Sequence, residues 1–170
     1  MVRSSGICGK VAMPQIFNGR YTARIDKPLA LFLIGMRLNK LWAVHKWLPV
    51  FLAMPRMLAE LRRDPKAGLL SHRLYFSGRV LLVQQYWESF DKLLAYAHDP
   101  SAAHFPAWKA FNRAVGRDGT VGIWHETYLV EPGKYECLYA NMPRFGLAAA
   151  ASHVPAEGAL SQAKDRMRPD

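Results

Sequence analysis

Apolar positions along the chain fall into two periods, and the switches between them set out the predicted elements. Pro28-Leu29-Ala30-Leu31-Phe32-Leu33-Ile34-Gly35-Met36-Arg37 is a continuous apolar run of strand length, the pattern of a central strand buried on both faces. Gly35 inside it marks a bulge or a close approach by another group. From Lys40 to Arg63 the apolar residues Leu41, Val44, Trp47, Leu48, Phe51, Met54, Leu58 and Leu61 recur at helical spacing. Asn39 is the expected cap, and Pro49 and Pro55 predict a kink or two helices in series. Gly68–Phe76 and Val80–Trp87 read as strands joined by a Ser77-Gly78-Arg79 turn, hence a hairpin. Ser89 caps a helix from Phe90 to His98, which Asp99-Pro100 ends, and a further helix is expected from His104 to Val115.

The run Gly122-Ile123-Trp124-His125-Glu126-Thr127-Tyr128-Leu129-Val130 is rich in β-branched and aromatic residues and closes on Pro132-Gly133. It reads as a strand. Alternation puts Val121, Ile123, His125, Thr127 and Leu129 on one face, and Gly122, Trp124, Glu126, Tyr128 and Val130 on the other. Glu126 is therefore expected to pair with a cation such as Arg37 and not to orient the ring of His125. A last strand is expected from Tyr135 to Ala140.

Strand, helix, hairpin, helix, strand is the order of a split βαβ unit. The expected fold is α+β, ferredoxin-like, with an antiparallel sheet and helices on one face. The other face needs a cover, and a second copy of the chain is the simplest one. That gives a dimeric α+β barrel with a pocket in each subunit between sheet and helices. Residues 1–27 read as an irregular N-terminal arm, 28–147 as the barrel domain, and 148–170 as a C-terminal tail that frays or wraps a partner.

Charge changes this picture little. Lys plus Arg number 23 against 13 Asp plus Glu, a formal charge of +10, which attracts anions at long range. The basic residues are scattered, with no run of five and no groove-reading motif, so no nucleic acid is expected. Met1–Lys10 lacks an apolar core of signal-peptide length, and the longest apolar runs are too short to span a bilayer. No membrane partner is expected, and a cytoplasmic location is. Cys8 and Cys137 belong to no CxxC or zinc-spaced cluster, so no metal site is expected.

Six runs together resemble a known family: Ile34-Gly35-Met36-Arg37-Leu38-Asn39-Lys40, Tyr86-Trp87-Glu88-Ser89, Tyr96-Ala97-His98-Asp99, His104-Phe105-Pro106-Ala107-Trp108-Lys109-Ala110-Phe111-Asn112, Gly122 to Tyr128, and Tyr139-Ala140-Asn141-Met142-Pro143. They are similar to the DUF4188 family of bacterial and fungal proteins, whose fungal members include a monooxygenase of fumagillin biosynthesis. That family resembles a branch of the dimeric α+β barrel superfamily, with antibiotic-biosynthesis monooxygenases, chlorite dismutases and aldoxime dehydratases. The resemblance spans about residues 28 to 147 and implies an oxidoreductase, a monooxygenase acting on a small organic substrate without a cofactor.

The candidate chemistry rests on His125, His104 and His98. An oxygenase of this kind needs a base near neutral pKa, donors for an oxyanion, and an apolar cavity for dioxygen. His125 is the candidate base, and Trp108, Asn112 and Trp124 are candidates to hold or stack on the substrate. The bland alternatives are core aromatics for Trp108 and Trp124, and a helix C-terminal cap for His98. Two other functions fit the same residues. One is an enzyme of the aldoxime-dehydratase or chlorite-dismutase kind with non-covalent haem b and a histidine ligand. The other is a non-catalytic, small-molecule-binding dimer.

Overall fold

The computed structural model describes residues 14–100, 105, 109 and 118–167. Its centre is a four-stranded antiparallel sheet of β2 (Leu29–Leu38), β3 (Leu69–Ser77), β4 (Val80–Trp87) and β5 (Val121–Val130). The spatial order β3-β4-β2-β5 places the apolar run between β4 and β5, as its double-sided apolar pattern predicts. Helices α1 (Val44–Arg63) and α2 (Phe90–His98) pack on one face. This is the ferredoxin-like arrangement.

The helix-side core has two parts. Ala30 and Trp87 pack with Leu61 of α1 and Leu93 of α2. Met36, Leu38 and Val121 pack under Trp47, Val50 and Phe51 of α1. Helix α1 runs unbroken through Pro49 and Pro55 as one element, where the sequence predicts a kink or two helices. It starts at Val44 without a side-chain cap. Asn39 instead donates to the carbonyl of Gly119 at 3.0 Å. Ser89 does cap α2, accepting from the Lys92 amide at 3.2 Å. The predicted helix His104–Val115 lies outside the described residues apart from Phe105 and Lys109, both helical.

A second, three-stranded antiparallel sheet corrects the expectations for both ends of the chain. Its strands are β1 (Phe17–Arg24), β6 (Tyr139–Met142) and β7 (Ser152–Pro155), in the order β6-β1-β7. β1 falls in the arm expected to be irregular, and β7 in the tail expected to fray. Neither segment alternates strongly, because their pairing is long-range: Tyr21 meets Tyr139 on one side and Pro155 on the other. Where β1 and β6 slip register, Asn141 adopts φ +52° and its side chain accepts from the Gly19 amide at 2.9 Å. The last predicted strand accordingly starts at Tyr139 and joins this second sheet.

The second sheet and a 3-10 turn, Gly146–Ala149, cover one end of the main sheet's helix-free face. Leu147 and Ala148 are buried there with Ala23, Ile25, Leu29 and Tyr86. Part of the cover expected from a second copy is thus supplied by the chain itself. Arg166 fastens the last described turn, bonding Glu136 through Nε at 2.8 Å and the carbonyls of Leu160 and Ser161 at 2.8 and 2.9 Å. Among the described residues no helix is long and apolar enough to cross a membrane.

Candidate active site

Strand register decides which side chains meet between the sheet and α2. On β2 the helix-facing positions include Phe32 and Ile34, and their β5 neighbours are Thr127 and His125. Helix α2 contributes Phe90, Leu93, Leu94, Ala97 and His98. Their spacing of three, four, seven and eight residues is one face of a helix. With Phe105 these groups line a cleft of about 500 Å³. It is apolar apart from His98, His125 and Thr127.

His98 is the better-oriented imidazole. Its Nδ1 lies 2.9 Å from the carbonyl oxygen of Leu94. A carbonyl only accepts, so Nδ1 carries the proton and donates. In the neutral ring Nε2 then holds the free lone pair, fixed as proton acceptor or ligand. The bond to its own helix fits the expected helix-terminal role, and the same ring lines the cleft.

His125 comes to the same cleft from the opposite wall. Its ring packs at a tilt on Phe32, centroids 5.8 Å apart, and it is exposed to the cleft's solvent. The apolar same-face neighbours therefore do not bury it, which removes the desolvation cost that the strand pattern suggests. Thr127, two residues along the same face, is the hydroxyl nearest to it in sequence among the lining groups.

Trp124 points the other way. It sits on the helix-free face and packs on Gly35, where a Cβ would lie 2.6 Å from the indole Nε1. Gly35 is thus the close-approach glycine, and Trp124 does not line the cleft. Glu126 shares that face, as alternation predicts, but its partner is Tyr128, whose hydroxyl donates to Oε2 at 2.8 Å. Arg37, the expected cation, bonds Asn39 instead. His104, Trp108 and Asn112 lie outside the described residues. Among the described residues no group of three or more His, Cys, Asp or Glu is placed to hold a metal ion.

The sequence-level reading missed Phe32, Phe90, Leu93, Leu94 and Ala97 as cleft walls. The stripe on α2 was available as a signal. The apposition of Phe32 to Thr127 was not, because it depends on register across strands about ninety residues apart in the chain.

A family model described as "Monooxygenase af470-like" matches residues 29–147. Monooxygenase af470 of Aspergillus fumigatus is 32% identical over 96 residues, covering 54% of this chain and 33% of its own length. The chain thus spans about a third of that relative. Among solved structures, an aldoxime dehydratase in complex with butyraldoxime superposes with a TM-score of 0.66 at 18% identity, over 83% of this chain and 42% of that one. SnoaB, a cofactor-independent oxygenase from Streptomyces nogalater, superposes with a TM-score of 0.43 at 15% identity, over 61% and 93%.

Proposed function

Because the chain belongs to the Monooxygenase af470-like family, we propose that it is a monooxygenase acting on a small, mainly apolar organic substrate in the cleft between sheet and α2. The observation that carries this reading is His98: a histidine of fixed tautomer facing an apolar cleft that His125 also lines. His98 Nε2 takes the proton of an acidic O–H or C–H group, and the imidazolium faces the resulting anion. His125 and Thr127 hold the developing oxyanion from the sheet side.

A substrate with an activated methylene beside the ionised centre needs no external reductant. The anion reacts with dioxygen, and the carbon keeps one oxygen atom as a carbonyl. The two methylene hydrogens leave with the other oxygen as water. The substrate supplies all four electrons.

The test is oxygen uptake with phenols that carry such a methylene, followed by mass spectrometry in labelled dioxygen. One labelled oxygen per product, lost in His98→Gln, supports the reading. No uptake across the series returns the protein to the non-catalytic binding class.

A haem-dependent enzyme is the second reading, favoured by the same Nδ1-to-carbonyl bond, which is how metal-ligating histidines are held. His98 Nε2 would hold the iron, with the apolar cleft walls around the macrocycle. A haem there supplies an iron centre for oxygen or nitrogen–oxygen chemistry. A Soret band that is lost in His98→Ala supports this reading over the cofactor-free one.

A homodimer goes with either reading. Tyr128 is half exposed on the helix-free face that it shares with Trp124 and Glu126. That face suits a second copy.

A further inference from the structure

Behind the cleft lies a second, smaller cavity of about 120 Å³ between α1, α2 and the sheet. Phe32, Leu93 and Ala97 line both cavities, so the two share one wall of three side chains. The inner walls are Met57 and Leu61 of α1 and Trp87 of β4. At its back the indole N–H of Trp87 donates to Gln85 Oε1 at 2.9 Å, buried from solvent, and Tyr96 completes the wall. No charged side chain lines it. A hollow lined mainly by Phe32, Ile34, Met57, Leu58, Leu61 and Leu93 suits hydrocarbon.

We infer that this annex is a subsite for an apolar arm of the substrate, and that Ala97 and Met57 set the arm's length. The inference rests on the proposed function only for where the ionisable head sits, beside His98 and His125. The substrate class is then amphiphilic: an acidic head, such as a phenol, carrying an alkyl or prenyl arm. At the volume share of one water per heavy atom, the annex takes an arm on the order of four heavy atoms. Ala97 is the smallest of the three shared side chains, so the wall between the two cavities is thinnest there.

The experiment is calorimetric binding of 4-alkylphenols, from 4-ethylphenol to 4-decylphenol, to the wild-type chain. Affinity is expected to rise about fourfold per methylene and to level off once the annex is full. In Ala97→Phe, which blocks the junction, and Met57→Trp, which fills the annex from α1, the roughly fifteenfold ratio between 4-butylphenol and 4-ethylphenol is expected to shrink towards one. Far-UV circular dichroism confirms that each variant is folded. A flat wild-type series, a rise with no plateau, or an unchanged ratio in the folded variants overturns the annex. The wild-type plateau is decisive by itself if a variant does not fold. Binding needs no turnover, so the two readings fail separately. A plateau without oxygen uptake keeps the annex and removes the oxygenase. Uptake with a flat series removes only the annex.

Discussion

The Nδ1 of His98 donates to the carbonyl oxygen of Leu94, one turn back on the same helix. This bond makes Nε2 the lone-pair nitrogen of the neutral ring and aims the imidazole along the cleft wall. A ring free to rotate would present either tautomer. Substituting His98 with Gln keeps a polar side chain but loses the base. With a substrate identified by oxygen uptake, turnover is expected to fall about 100-fold or more, with little change in melting temperature. A purely structural cap predicts the reverse pattern: a lower melting temperature and near-normal turnover. His125→Asn, which retains a donor, is expected to cost less turnover than His98→Gln.

Gly35 and Trp124 form a pair on the other face. A Cβ on residue 35 would meet the indole at 2.6 Å and the Leu81 carbonyl oxygen at 2.9 Å. Gly35→Ala is expected to destabilise the chain by about 1–3 kcal/mol through overpacking. Trp124→Leu in the same chain removes the indole but not the Leu81 carbonyl, so only partial recovery is expected. Urea unfolding of the double-mutant cycle measures the coupling.

Arg166 is nearly fully buried and joins Glu136 of the body to the carbonyls of Leu160 and Ser161. Arg166→Ala leaves these acceptors without their cation. The expected loss is about 3 kcal/mol of local stability. Hydrogen exchange should show it as lost protection over residues 158–167 with the four-stranded sheet unaffected.

His153 predicts a pH dependence. Its ring is stacked on Tyr21 at 4.5 Å and meets Phe17 edge-on at 4.7 Å. Both ring nitrogens are buried without a hydrogen-bond partner among the described residues. Burial, and then the positive charge of Arg144, push its pKa below the ordinary 6.5. The folded state therefore binds this proton less readily than the unfolded chain. Stability is full above about pH 6.5 and falls as pH drops from there towards the folded value. His72, lowered by burial and then by Arg62, adds in the same direction. Melting temperatures in His153→Phe should depend less on pH between 7.5 and 5 than in the wild type.

Tyr128 and Glu126 are bonded to each other on the open face of the sheet. Tyr128→Lys, at the proposed dimer contact, is expected to shift the protein towards monomer in light scattering. A wild-type species at the 19.2 kDa chain mass at micromolar concentration would overturn the dimer.

Local pattern alone determined the four strands of the main sheet, α1 and α2, and which face of β5 each residue takes. Apolar periodicity and turn residues act over a few positions, and alternation is a property of the strand itself. So His125 and Glu126 could be assigned to opposite faces before any partner was known. Tertiary structure decided what lies far apart in sequence. β1 and β7 become strands only because Tyr21 finds Tyr139 and Pro155, and short segments with weak alternation gain their order from pairing. That His98 and His125 line one cleft depends on α2 packing over β2 and β4 beside β5, and the fixed tautomer of His98 depends on one carbonyl. The placement of Trp124 over Gly35 rests on cross-strand register. These are contacts between surfaces, and their free energy is not encoded in the spacing of either segment alone.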